Sequence, residues 1–243
     1  MRLALLGLAV SLIIGSPSQA RATECRDIIF EGLSFTICET RPARDRIELF
    51  HADADGEVLG SFDAIEEAAA PRGVILAMNA GMYHPDRSPV GHLVIDGEER
   101  MRVIASAGPG NFGLLPNGVF CIEADRARVI ETLRYQDAPP VCTYATQSGP
   151  MLVIDGELHP RFLPESESRF VRNGVGTDDA GTRAVFVISN QPVTFHQFAR
   201  VFRDELGLDQ ALYFDGRVSR LHAPGFGRSD PGFAMGPIVA VLD

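Results

Sequence analysis

The sequence predicts an α+β fold: a single domain with a mixed or largely antiparallel β-sheet core and a few helices. Three observations lead there. Short apolar or alternating runs dominate the chain and are punctuated by Gly, Pro, Asp and Asn. Only two stretches carry helical periodicity, and they do not alternate with strands as a βαβ chain would. No Pro/Ser-rich linker divides the chain, and its 243 residues suffice for one sizeable core.

The chain opens with Arg2, an apolar run over 3–14 and a small, polar stretch over 15–22. A run of about 12 residues is too short to span a bilayer and suits the h-region of a secretory signal. Ala20-Arg21-Ala22 fits the small-x-small cleavage rule, with Ser18-Gln19-Ala20 as the alternative. Residues 1–22 are therefore expected to be a signal peptide, 23–243 the domain, and the mature protein periplasmic or secreted without a membrane anchor. Strand signals follow at 28–30, 35–38, 47–50, 74–78, 93–95, 119–122, 151–154, 184–188, 211–214 and 238–242. Ser61 is placed to cap a helix running to Ala70, which Pro71 stops. Thr194 is placed to cap a second, in which Phe195, Phe198, Phe202 and Leu206 recur at helical spacing before Gly207 at the C′ position. Leu93-Val94-Ile95-Asp96-Gly97 and Leu152-Val153-Ile154-Asp155-Gly156 each read as a strand entering an Asp-Gly turn.

Cys25, Cys38, Cys121 and Cys142 all follow the signal. An even count in an exported chain favours disulfides, with three possible connectivities. Pairing of sequence neighbours, Cys25 with Cys38 and Cys121 with Cys142, is the simplest, and a zinc site lacks any Cys-x-x-Cys spacing.

Net charge is −10 and all 22 basic residues are arginine. The absence of lysine removes Schiff-base lysine chemistry and the lysine-bearing phosphate loop. An acidic chain without a basic run argues against nucleic acid as partner. There is no G-x-S-x-G, no H-E-x-x-H and no EF-hand loop, and the six histidines are scattered. No cofactor is expected, with a structural Ca²⁺ held by loop carboxylates left open.

Four segments have another texture, with strands ending abruptly in amides, hydroxyls and glycines: 77–83, 111–120, 146–152 and 212–219. Such ends suit a polyhydroxylated ligand approaching the backbone. Taken singly each is a turn, and Asp215-Gly216 reads equally as a third Asp-Gly turn.

In order, these segments resemble the phosphodiester glycosidase (uncovering-enzyme-like) domain family from about Val74 onward. The resemblance is carried by Asn79-Ala80-Gly81-Met82-Tyr83, Gln147-Ser148-Gly149-Pro150-Met151-Leu152, Arg172-x-x-x-Gly176 and Asp215-Gly-x-x-Ser219. Arg217 departs from it, since many members carry a second glycine there. The resemblance implies a hydrolase that cleaves a sugar-1-phosphodiester at the anomeric carbon, releasing sugar and a phosphomonoester. It makes Asp215 the carboxylate, as base or nucleophile, and Arg172 a bidentate phosphate clamp. Asn79, Gln147, Ser148 and Ser219 would position sugar or phosphate, with Arg217 as a second phosphate contact. Arg169 and Arg183 are the substitutes for Arg172, and Glu165 and Glu167 read as solvated charges. The alternative from another class is a non-catalytic periplasmic binding protein for a sugar phosphate or envelope glycan. Phosphodiesterase chemistry at phosphorus would call for a metal set that the scattered histidines do not offer.

Overall fold

The computed structural model describes residues 23–243, so the expected signal peptide lies outside the described residues. Three antiparallel sheets share one core. The first has seven strands, in the order Glu24–Phe30, Leu33–Thr40, Ala184–Ser189, Asn173–Thr177, Gln210–Asp215, Met151–Ile154 and Glu157–Leu158. The second orders Arg228–Ser229, Leu221–Ala223, Val74–Asn79, Ile238–Leu242 and Arg46–Phe50. The third orders Glu98–Met101, Leu93–Ile95, Tyr144–Ser148, Gly118–Ile122 and Ala127–Glu131. All pairings within the sheets are antiparallel, which narrows the expected mixed-or-antiparallel core to the second choice.

Period-two alternation sorts the apolar runs onto two faces. In Ala184–Ser189, Ala184, Phe186 and Ile188 enter the shared core, while Val185 and Val187 face the other way. Val239 and Val241 point inward, with Ile238, Ala240 and Leu242 outward. Phe120 meets Phe186 and Phe214 edge-on at centroid distances of 5.9 and 6.3 Å, locking the third sheet onto the first. Both faces are buried because one helix covers the outside of each sheet. This is why the strands read as unbroken apolar runs rather than alternating ones.

The helix Phe62–Ala69 begins at Ser61, whose hydroxyl accepts from the Ala64 amide, and lays Phe62, Ile65 and Ala69 on the second sheet. Thr194 caps Phe195–Arg200 through a reciprocal capping box with Gln197. The regular helix expected to reach Leu206 ends sooner: Val201–Glu205 widens into a π turn, closed by the Leu206 amide on the Val201 carbonyl, before Gly207 at φ +60°. Phe198, Phe202 and Leu206 still cover the first sheet. A third helix, Thr132–Asp137, covers the third sheet and has no apolar periodicity to announce it.

Cys25 bridges Cys38 across paired strands, and Cys121 bridges Cys142; no free cysteine remains among the described residues, which excludes the zinc alternative. Among the described residues no helix is long and apolar enough to cross a membrane.

Candidate active site

Loops leaving all three sheets converge on a cleft of about 800 Å³. Met82 and Tyr83 come from the turn after Val74–Asn79, and Asn111 and Phe112 from the loop before Gly118–Ile122. Tyr213 and Asp215 come from the end of Gln210–Asp215, while Phe195 opens the helix capped by Thr194. Tyr213 and Asp215 sit two apart on their strand and so share a face, opposite Phe214 in the core.

Asp215-Gly216 is not a third hairpin turn. Asp96-Gly97 and Asp155-Gly156 both have positive φ at each residue (52° and 78°, 50° and 79°), as a type I′ turn requires, but neither Asp215 nor Gly216 does. Here the carboxylate folds back on its own loop, Oδ1 accepting from the Gly216 amide and, at 2.8 Å, from the Arg217 amide. Gly216 is demanded by space: a Cβ there would collide with the Tyr213 hydroxyl and stand 3.5 Å from Arg172 Nη1. Burial pushes the Asp215 carboxyl above its ordinary value, opposed by the amides of Arg217, Gly216 and Val218 and by the Arg217 charge.

Arg172 is 1% exposed and has no carboxylate partner. Nε donates to the Val193 carbonyl at 2.9 Å, Nη2 to that of Ser168 at 3.1 Å, and Nη1 faces the Tyr213 hydroxyl at 3.4 Å. Its plane lies over the Phe195 ring, 3.7 Å from the centroid, with Phe170 and Tyr213 farther out at 5.4 and 5.5 Å. Phe195 is backed by Phe162 at 5.0 Å and Phe162 by His159 at 4.8 Å, giving a stacked column. Aromatic faces and neutral carbonyls thus hold the cation without neutralising it. Burial lowers the guanidinium's pKa, with Tyr213 opposing; burial also raises that of the Tyr213 phenol.

Of the residues singled out in the sequence, Asp215, Arg172 and Arg217 line this cleft. Asn79, Gln147, Ser148 and Ser219 do not; their polar atoms are spent inside the protein. Gln147 accepts from the His92 and Ile104 amides and donates to the Ile104 carbonyl and Thr132 hydroxyl, clamping the segments on either side of the hairpin formed by Leu93–Ile95 and Glu98–Met101. Asn79 donates to Asn173 Oδ1 and accepts from the Arg220 amide; Asn173 returns a bond to the Asn79 carbonyl. Ser148 donates to the Phe214 carbonyl and Ser219 to that of Asp215. Of the substitutes for Arg172, Arg183 is paired with Glu39 and Arg169 donates to Gln197; neither lines the cleft. Glu165 and Glu167 are exposed, leaving Asp215 as the one carboxylate on the wall among the described residues. Sequence reasoning missed Tyr213, hidden in an apolar run, and Phe195, which reads as helix core. Among the described residues no group of three or more His, Cys, Asp or Glu is placed to hold a metal.

The chain belongs to the phosphodiester glycosidase family, whose model matches residues 72–222. A relative from Escherichia coli K12, the uncharacterized protein YigE, is 32% identical over 185 residues, covering 76% of this chain and 72% of that one. The fold is shared with the catalytic domain of zebrafish N-acetylglucosamine-1-phosphodiester alpha-N-acetylglucosaminidase, a structure auto-inhibited by its pro-peptide. That match has a TM-score of 0.65 at 15% identity and covers 93% of this chain and 85% of that one. A hypothetical protein from Synechocystis matches with a TM-score of 0.57 at 12% identity, over 90% of this chain and 61% of that one.

Proposed function

We propose that the protein is an exported hydrolase that cleaves the glycosidic bond of a sugar-1-phosphodiester, releasing free sugar and a phosphomonoester. The observation that carries this reading is a buried arginine without a counter-ion in the same cleft as a lone carboxylate, in a chain of this family. A desolvated cation held by neutral groups is completed by an anionic ligand, and a guanidinium edge matches phosphate. Two disulfides support folding in an oxidising compartment.

In this mechanism Arg172 binds the phosphodiester and steadies the charge that gathers on it as the anomeric C–O bond breaks. The departing phosphate takes the bonding electron pair and, being weakly basic, needs little protonation, so a single carboxylate suffices. Asp215, ionised, either attacks the anomeric carbon to form a glycosyl ester that water then hydrolyses, releasing the sugar and the carboxylate, or takes a proton from the water that attacks directly. Its position between backbone amides and the Arg217 charge offsets part of the cost of ionising it. Asn79, Gln147, Ser148 and Ser219 act from behind, holding the loops that carry Asp215 and the cleft wall. The reaction calls on no cofactor.

The test is incubation of the purified mature protein with sugar-1-phosphodiesters, following anomeric proton and phosphorus NMR signals together. Reducing sugar plus phosphomonoester is expected, with turnover abolished and binding retained in Asp215→Asn. Ligands that bind but are never turned over would leave a binding protein for sugar phosphates as the better description.

A further inference from the structure

We infer that the cleft contains a second anion subsite, formed at its mouth by Arg87 and Arg217, for a phosphate beyond the one held by Arg172. The inference rests on the reading of Arg172 as a phosphate clamp and extends it from one phosphate to two.

Charge distribution is the first support. In a chain of net charge −10, three arginines line one cleft against a single carboxylate. Many arginines elsewhere find acidic partners, among them Arg134 with Asp155, Arg183 with Glu39, Arg200 with Glu31 and Arg228 with Asp230. Arg87, Arg172 and Arg217 pair with no carboxylate, although acidic residues outnumber basic ones 32 to 22. One phosphodiester carries one negative charge and is answered by Arg172; ionised Asp215 offsets one of the two further cations, and one is left over.

Backbone conformation is an independent support. Among the described residues, four other than glycine have positive φ. Glu31, Asp96 and Asp155 each precede a glycine in a hairpin turn, where that conformation is the rule. Arg87, at φ +71°, also lies in a hairpin turn, bridged at Tyr83 and Pro89, but is followed by Ser88: the turn is closed by the His84 amide on the Ser88 carbonyl and the Arg87 amide on the His84 carbonyl. Glycine would adopt this conformation with less strain than a long side chain. Its guanidinium is held in place, Nη1 donating to the Pro85 carbonyl at 3.0 Å and the group lying over the Tyr83 ring at 5.4 Å. These contacts hold the Arg87 guanidinium on the cleft wall. Arg217 is anchored from the other side, through its amide on the Asp215 carboxylate, and stands one residue from the glycine packed against Arg172 and Tyr213.

The substrate class that fits is a sugar phosphodiester whose arm beyond the scissile phosphate carries another phosphate, either directly as a pyrophosphate or farther along a phosphate-linked chain. Titration calorimetry on the whole mature protein tests this with three non-hydrolysable probes: methylphosphonate, methylenediphosphonate and propane-1,3-diphosphonate. The wild type is expected to prefer at least one diphosphonate over the monophosphonate by about tenfold per added contact. The short probe winning identifies the pyrophosphate spacing, the long one the chain. Arg87→Gly and Arg217→Gly should each lower diphosphonate affinity about tenfold, and Arg87→Gly should leave methylphosphonate binding unchanged. Arg87→Gly should also keep or raise Tm, since its backbone suits glycine, which separates lost binding from lost folding. Arg172→Gln should weaken all three probes. Equal affinity for one and two phosphonates, or a preference that survives both glycine substitutions, overturns the subsite. Diphosphonate preference in a protein that turns over no sugar phosphodiester leaves the subsite standing and removes the hydrolase.

Discussion

Arg172 and Asp215 both line the cleft, one held by carbonyls and aromatic rings and the other by the amides of its own loop. That an arginine would be buried among Phe195, Phe170 and Tyr213 with no acid beside it depends on contacts far apart in sequence. Gln147 and Asn79 show the opposite failure: amides in a motif look like ligand donors until their bonds to main chain and to Asn173 are seen. Gly216 gives a sharp prediction at this scale. Gly216→Ala drives a methyl group into the Tyr213 hydroxyl, and should cost about 1–3 kcal/mol in urea unfolding along with most turnover. Tyr213→Phe in the same chain removes the colliding atom, so the double variant should recover stability beyond additivity. Asp215 supplies a second. Its carboxyl pKa is raised by folding, so its contribution to stability is complete below the ordinary carboxylate value of about 3.9 and is lost as pH rises through the folded value. Asp215→Asn, always neutral, should therefore be more stable than wild type at neutral pH by thermal unfolding, with the gap closing toward pH ~4.

Among the elements, strands whose two faces both meet apolar neighbours announced themselves, Gln210–Asp215 of the cleft included, and the polar or glycine-bearing ones did not. Asn173–Thr177 has no apolar run because two glycines let it pass close beneath its neighbours: a Cβ at Gly176 would stand 2.6 Å from Phe202. Tyr144–Ser148 is fully buried yet polar, because Thr146, Gln147 and Ser148 each bond to main chain of other segments. Polar strands in a core are where periodicity carries no signal. The helix Thr132–Asp137 is likewise fixed by surroundings, including the Tyr135 hydroxyl against His92 and Cys142. The bridge from Cys121 to Cys142, 21 residues apart, ties that region to the third sheet. Replacing both cysteines by alanine should lower unfolding free energy by about 3 kcal/mol, read from the urea midpoint at constant slope.

For the molecule as a whole, the fold class and the core were readable because each apolar run lies on a strand of one of three sheets around a common interior. How those sheets meet was not readable, since nothing local in 77–83, 111–120 or 212–219 states that their ends face one cleft. The segment 146–152, of the same texture, was drawn behind the wall instead. The arrangement also has an optical consequence. The chain has no tryptophan and four tyrosines. Tyr135 lies against a disulfide sulfur and Tyr144 donates to the Asp96 carboxylate, both surroundings that quench a phenol. Tyr83 and Tyr213 are the two that line the cleft. Ultraviolet emission from this protein should thus come chiefly from the cleft itself, and titration with methylphosphonate should change it in the wild type and leave it flat in Arg172→Gln. The molecule carries its own dye at the place where its ligand would sit.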